Sequence, residues 1–345
     1  MSRSILYAAL LALILPVFGS NPIQEEDKPV AIGLLVPDHS YTRVIGAAEL
    51  AIKEANERGG FKGIPFQLVV RTTEGPWGAG SKESVALVFE NEVRAIVGSL
   101  DGRNAHLAEQ VAAKSHLVYL ETRATDPTLS QAYVPWFIRN VPNDNQQAMA
   151  ILDLIGEAGA GNTAILVSET YDARYAVKSF TDQSSSLYGI SPLVITVKPD
   201  ETDIDAVLEQ LTEAAIGHMV VPFFSEATLK IVTGLSELLP DLKLYGTLAF
   251  STGLESQEKN RKSLPGMNLV HSYSGPQEKR LPDPEELAAS YVYDGINLIL
   301  HAITMVGLER LSIRDYILHQ DHPDGITGPI SFDEMGNRSG KIQLH

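Results

Sequence analysis

From Val30 onward the chain alternates short apolar runs with stretches of helical periodicity, and it does so in two successive series. Residues 30–35 (VAIGLL) read as a strand buried on both faces. Residues 42–57 follow with Val44, Ala47, Ala48, Ala51, Ile52 and Ala55 at helical spacing, and Gly59–Gly60 ends that helix. Strands at 66–71, 95–97 and 118–121 then alternate with helices at 81–89 and 104–114. The segment 136–144 (WFIRNVPND) breaks the rhythm with a short strand, Pro142 and two turn formers. A second series follows it, with helices at 145–158, 174–187, 203–214 and 226–238. Its strands fall at 163–167, 192–197, 218–221, 243–247 and 267–271. A long helix at 284–306 comes after the turn 274–276, and only short apolar stretches remain, at 313–318 and 330–332. Repeated βαβ units fold as parallel sheets covered by helices on both faces, so the expected class is α/β with two doubly wound lobes. Spacing alone does not assign the late helix to either lobe.

With 345 residues there is enough chain for two domains of ordinary size, each with its own core. The balance of 27 basic against 43 acidic residues speaks against nucleic acid, whose phosphates call for clustered Lys and Arg. The absence of cysteine excludes disulfides, thiolate metal sites, cysteine nucleophiles and a cysteine-linked lipid anchor. Residues 1–20 read as an export segment: Arg3 supplies the positive start, 5–18 is an apolar run shorter than a membrane span, and Val17 and Gly19 suit a signal peptidase. A signal peptide over 1–19 with cleavage near Gly19 is expected.

Most motifs that invite catalysis fail on spacing. The stretch 156–161 (GEAGAG) follows a helix and precedes a strand, the reverse of a dinucleotide fingerprint, and reads as a helix terminator. The stretch 75–84 (GPWGAGSKES) has the right order, but Ser81 separates Gly80 from Lys82 and Glu83 takes the hydroxyl position of a P-loop. There is no GxSxG elbow. His106 and Glu109 share a helix face but lack a third metal ligand, so they are expected at the surface. Asn337–Arg338–Ser339 matches a glycosylation acceptor by its pattern alone. No metal, no cofactor and no enzymatic activity are expected.

Several strings in order carry a family resemblance: 46–60 (GAAELAIKEANERGG), 94–98 (RAIVG), 124–129 (ATDPTL), 137–146 (FIRNVPNDNQ), 290–302 (SYVYDGINLILHA) and 324–336 (DGITGPISFDEMG). Together they resemble the periplasmic substrate-binding proteins of ABC transporters, in the branch that binds leucine, isoleucine and valine. The resemblance implies the type I periplasmic binding fold, two lobes joined by three crossover strands near Asn140, 272–274 and 326–327. The lobes would be 29–140 plus 275–326 and 141–272 plus 327–345. It also implies hinge closure on a small-molecule ligand and docking of a periplasmic monomer on an inner-membrane ABC permease. A sensing subunit for a membrane receptor, or an enzyme using the 75–84 loop, are the alternatives.

Carried over residue by residue, the family's pocket threonine is Thr125, preceded by Ala124, while its helix-start serine is replaced by Gly102. Arg103 follows, and Arg123 replaces a small residue. Leu248 stands where the family has the glutamate that meets a ligand ammonium, and the loop 37–43 is shortened. Tyr171 matches the second-lobe tyrosine, with Asp172 in place of the glycine after it. Losing a carboxylate and gaining two guanidinium groups favours an acid without an amino group over a zwitterion, with Tyr41, Trp77 and Tyr171 as walls. If export proceeds as read, the intact mass of secreted protein will lack residues 1–19; retention of Met1 would contradict it.

Overall fold

The computed structural model describes residues 28–198, 202–254, 266–273 and 287–344, so the export segment, the 274–276 turn and the start of the expected helix at 284 lie outside the described residues. The first sheet contains β1 (Val30–Val36), β2 (Phe66–Thr72), β3 (Ala95–Gly98), β4 (Val118–Glu121) and β5 (Phe137–Arg139). Between them run α1 (Thr42–Glu57), α2 (Ala79–Phe89), α3 (Gly102–Ser115) and the single turn α4 (Thr128–Gln131). The order is β2-β1-β3-β4-β5 with every pairing parallel. Along β1, Ile32, Leu34 and Val36 enter one apolar cluster and Ala31 and Leu35 the other, which is why the strand is apolar throughout.

After β5 come α5 (Asp144–Ile155), α6 (Glu157–Ala160), β6 (Thr163–Ser168), α7 (Ala173–Tyr188), β7 (Leu193–Val197), α8 (Ile204–Glu213), β8 (His218–Val221), α9 (Glu226–Leu238), β9 (Lys243–Gly246), α10 (Leu248–Leu254) and β10 (Met267–Tyr273). The second sheet repeats the first arrangement as β7-β6-β8-β9-β10, and β11 (Ile342–Leu344) adds an antiparallel edge. Gly156 closes α5 with its N–H on the Leu152 carbonyl, as a terminator should. The helix α11 (Leu287–Val306) lies along α1, with Val292, Ile296, Ile299 and Ile303 in the cluster that holds Ala48, Ala51 and Ile52. The stretch around 313–318 is the helix α12 (Arg310–His319), buried at Ile313 and Ile317 one turn apart. Single turns and three-residue strands such as α4 and β11 are too short to show a period, and α10 leaves no gap after β9 for the alternation to register.

The chain passes between the sheets after β5, after β10 and before β11, and one side chain ties these passages together. Arg338 is wholly buried. Its Nη1 donates to the Thr327 hydroxyl at 2.7 Å and to the carbonyl and side-chain oxygens of Asn140 at 3.3 and 3.1 Å. Nη2 donates to the Gly328 carbonyl at 2.7 Å and Nε to that of Pro329 at 2.9 Å. The guanidinium also lies 4.5 Å over the ring of Tyr273. Beside it, Asp294 of α11 accepts from the N–H groups of Ile326 and Thr327, both at 2.9 Å. Gly328 has φ +102°, and a Cβ there would stand 2.4 Å from the Tyr273 carbonyl oxygen. Asn337 is 1% exposed, with its side chain bonded to Ser130 and Asp333, so the glycosylation pattern falls on a buried residue.

Replacing Arg338 with Met leaves five acceptor contacts unmet inside the protein. It should cost roughly 3 kcal/mol or more in chemical denaturation. A loss below about 1 kcal/mol would show that the three passages hold without it.

Candidate functional site

In parallel sheets the loops after the carboxyl ends of the strands gather at one edge, beside the point where strand order reverses. All nine residues singled out in the sequence lie in such loops or at the helix starts that follow: Tyr41 after β1, Trp77 after β2, Gly102 and Arg103 after β3, Arg123, Ala124 and Thr125 after β4, Tyr171 after β6 and Leu248 after β9. The fold brings together only some of them.

The centre of the cluster is the start of α3. Asp101 caps this helix, accepting from the Asn104 N–H at 2.9 Å. The Gly102 N–H beside it donates to Asp172 Oδ2 at 3.1 Å, a residue of the other sheet. A Cβ on residue 102 would stand 2.5 Å from Asp172 Oδ1, so the missing serine side chain is what admits the carboxylate. Asp172 occupies the N-cap position of α7 yet makes no cap there; Thr170 receives the Ala173 N–H instead, at 3.2 Å. Next to this bond the Arg103 guanidinium lies 4.8 Å over the ring of Tyr171, which also meets Arg174 at 4.3 Å and the edge of Tyr175 at 5.8 Å. Arg123 lies 5.3 Å over Tyr41. Both arginines that the sequence offered for an anion therefore rest on aromatic faces, in contacts worth about 0.5–2 kcal/mol.

Thr125 is 4% exposed and pairs with Asp144 through the backbone: its carbonyl accepts the Asp144 N–H at 2.9 Å, and its hydroxyl, near the Asp144 carboxyl, works against the rise in that group's pKa. The N–H groups of Arg123 and Ala124 are committed inward. With those of Leu100 and Thr122 they converge on Glu121 Oε1, at 2.8 to 3.2 Å, while the Tyr119 hydroxyl holds Oε2. Glu121 and Asp172 were not among the sequence candidates. For Glu121 the signal is an acid two residues from Tyr119 on one strand face. In the sequence Asp172 stands out only as a departure from the glycine of the resembling family.

Glu109 is not at the surface, and His106 is half-buried beside it. Glu109 is 3% exposed, and His106 joins it to Asp126 and Thr128 through Nδ1 at 3.2 Å and Nε2 at 3.3 and 3.0 Å. The spacing gave their shared helix face, but the cover came from the Asp126–Thr128 turn. Trp77 is 81% exposed, and Leu248 is buried in the second sheet's core with its N–H on Gln147 Oε1 at 2.7 Å; neither joins the cluster. Lys82 of the glycine-rich loop points outward, paired with Glu83 at 3.1 Å. Among the described residues no group of three or more His, Asp and Glu side chains is arranged for a metal ion. A hollow of about 530 Å³ lined by Arg58, Tyr293, Asn297, His301 and His322 has walls from α1, α11 and the turn before Ile326, so it does not lie between the sheets.

Residues 29–338 match the family model described as periplasmic binding protein. The crystal structure of the branched-chain amino acid transporter substrate-binding protein LivJ from Streptococcus pneumoniae, in complex with isoleucine, superposes with a TM-score of 0.75 at 21% identity, covering 92% of this chain and 95% of that one. An ABC transporter solute-binding protein from R. palustris in complex with benzoate gives 0.74 at 16% identity, covering 92% of each chain. Both likenesses are to the type I periplasmic binding fold. Glutamate receptor 3.4 of Arabidopsis thaliana is 31% identical over 385 aligned positions, taking in 92% of this chain; the chain spans 38% of that receptor's length.

Burial alone would lower the His106 pKa, but the Asp126 and Glu109 carboxylates raise it from 6.5 to about 9. Burial raises Asp144 to about 8 and Asp172 to about 6, against 3.8 for an ordinary aspartate. His106 therefore contributes stability that is complete below pH 6.5 and lost as pH rises through 9. The two aspartates penalise the fold increasingly as pH climbs from about 4 to their folded values. All three bind more protons folded than unfolded, so stability should fall steadily from pH 5 to 9 in urea denaturation. His106→Gln should flatten the upper part of that profile. A flat or rising profile for the wild type would contradict the assignment.

Proposed function

The chain belongs to the periplasmic binding protein family, and from that footing we propose that it is the extracytoplasmic solute-binding component of an ABC importer, closing by hinge motion on a small carboxylate-bearing molecule. The observation that carries this reading is the start of α3, which already receives a carboxylate, at 3.1 Å, from the opposite sheet. A helix N-terminus with free N–H groups and a positive dipole end is a ready anion site. The similar proteins crystallised with isoleucine and with benzoate each hold a carboxylate-bearing molecule. The solute is an amino acid or, as the preferred reading, an acid without an amino group. Leu248 is apolar and enclosed, so the position that carries an ammonium-binding glutamate in the resembling family supplies no counter-ion here.

The moving bodies are 29–140 with 275–326 and 141–272 with 327–345, turning about the segments that Arg338 gathers. Solute that touches both bodies favours the shut form by the difference in its affinity for the two states. The protein acts as a monomer delivered through a cleaved signal peptide to the periplasm, and passes its solute to an inner-membrane permease. No cofactor and no catalysed reaction belong to this reading. One observation favours a second reading, a ligand-sensing subunit for a membrane receptor: the likeness to the plant glutamate receptor extends over 92% of the chain.

A thermal-shift screen across aromatic acids, aliphatic acids and amino acids tests the proposal. A true solute at 100 times its dissociation constant should add about 2.7 kcal/mol of stability. Shifts by amino acids alone would overturn the preference for an acid without an amino group, and no shift by any carboxylate would remove the solute reading. Thr125→Ala, which removes the hydroxyl near Asp144 beside the site, should weaken solute binding by roughly 1–3 kcal/mol in calorimetry. Unchanged affinity would take Thr125 out of the site.

A further inference from the structure

We propose that Asp172 is a tethered stand-in for the solute's carboxylate, latching the two lobes over the start of α3 until a solute displaces it. The inference rests on the solute-binding reading above and adds its regulation. Asp172 sits where aspartate ordinarily caps its own helix, and it does not: Thr170 caps α7, which leaves the Asp172 carboxylate to reach across to the Gly102 N–H. Only glycine at residue 102 leaves room for this, since a Cβ would collide with Asp172 Oδ1. That oxygen is buried and has no hydrogen-bond partner among the described residues. The bond is therefore incomplete, and a solute that satisfies the amide better can replace it.

A second contact holds the same gap shut. The guanidinium of Arg103, the residue after Gly102, stacks on the ring of Tyr171, the residue before Asp172. Two adjacent pairs of residues thus face each other across the lobes, one pairing an amide with an anion and the other a cation with a ring. Around the carboxylate, Asp101 and Asp126 repel it and Arg123 attracts it, so its charge is only partly compensated. A solute anion entering beside Arg123 would meet the same amide and take the place of the Asp172 carboxylate there.

The latch lowers apparent affinity by the fraction of molecules left unlatched. Asp172→Gly restores an empty amide, and Asp172→Asn keeps the side chain without its charge. Small-angle scattering of the solute-free proteins reports lobe opening, and calorimetry with benzoate and with leucine as probes reports affinity. The latch predicts a larger radius of gyration for Asp172→Gly than for the wild type. It also predicts about a tenfold or greater fall in the dissociation constant of whichever probe binds, with Asp172→Asn between the two. Probes that bind wild type and both variants equally, with unchanged radii, would overturn the latch and leave the solute-binding reading standing. Weaker probe binding by Asp172→Gly would also overturn it, by making Asp172 part of the solute's own contacts. An opened Asp172→Gly that binds neither probe would support the latch and count against the carboxylate solute.

Discussion

A guanidinium buried where three passages of the chain meet is the constraint on which the two-lobed arrangement depends. Moving a charge into the interior is costly unless hydrogen bonds replace the lost water. Arg338 meets that condition with oxygens from all around it: Asn140 from the first passage, Thr327, Gly328 and Pro329 from the third, and the face of Tyr273 from the second. Each contact fixes a backbone segment that belongs to no helix and barely to any strand. Arg139, whose carbonyl accepts the Arg338 N–H at 2.9 Å, makes a contrast. It is equally buried, yet its Nε and Nη1 find no partner among the described residues, and burial lowers its pKa. The junction is thus tightly satisfied on one side and loosely on the other.

The cleft edge shows a protein that supplies its own anions. Glu121 draws four backbone N–H groups onto one oxygen, and Asp172 takes the amide that opens α3. Amides turned inward to Glu121 are not available to a guest, so the loop after β4 contributes shape and the Thr125–Asp144 pair more than free donors. The amide of Gly102 differs, because its acceptor comes from the loop after β6, on the side of the second sheet.

Much of the scaffold was legible from the alternation of apolar runs, since period-2 and period-3.6 patterns register burial directly. The βαβ order, both series and the strand run of β1 with its two buried faces followed from it. The helix α12 was harder, because only Ile313 and Ile317 mark its inner face. The candidate site could be proposed as a set of positions, through the strings around Gly102, Thr125 and Tyr171, but the contacts among them could not. Arg103 and Arg123 read as anion forks by composition, and the structure lays both on rings.

The sequence by itself determined that this chain makes two helix-covered parallel sheets, that they are chemically free of thiols, and which loops meet at their carboxyl edges. Local patterning suffices for these, because each strand and helix is decided by its own neighbours along the chain. Only the tertiary structure decided that Asp172 spends its carboxylate on Gly102, seventy positions earlier, and that Arg338 closes the junction from the far end of the chain. Such pairings depend on distances between segments remote in sequence, and no periodicity records them.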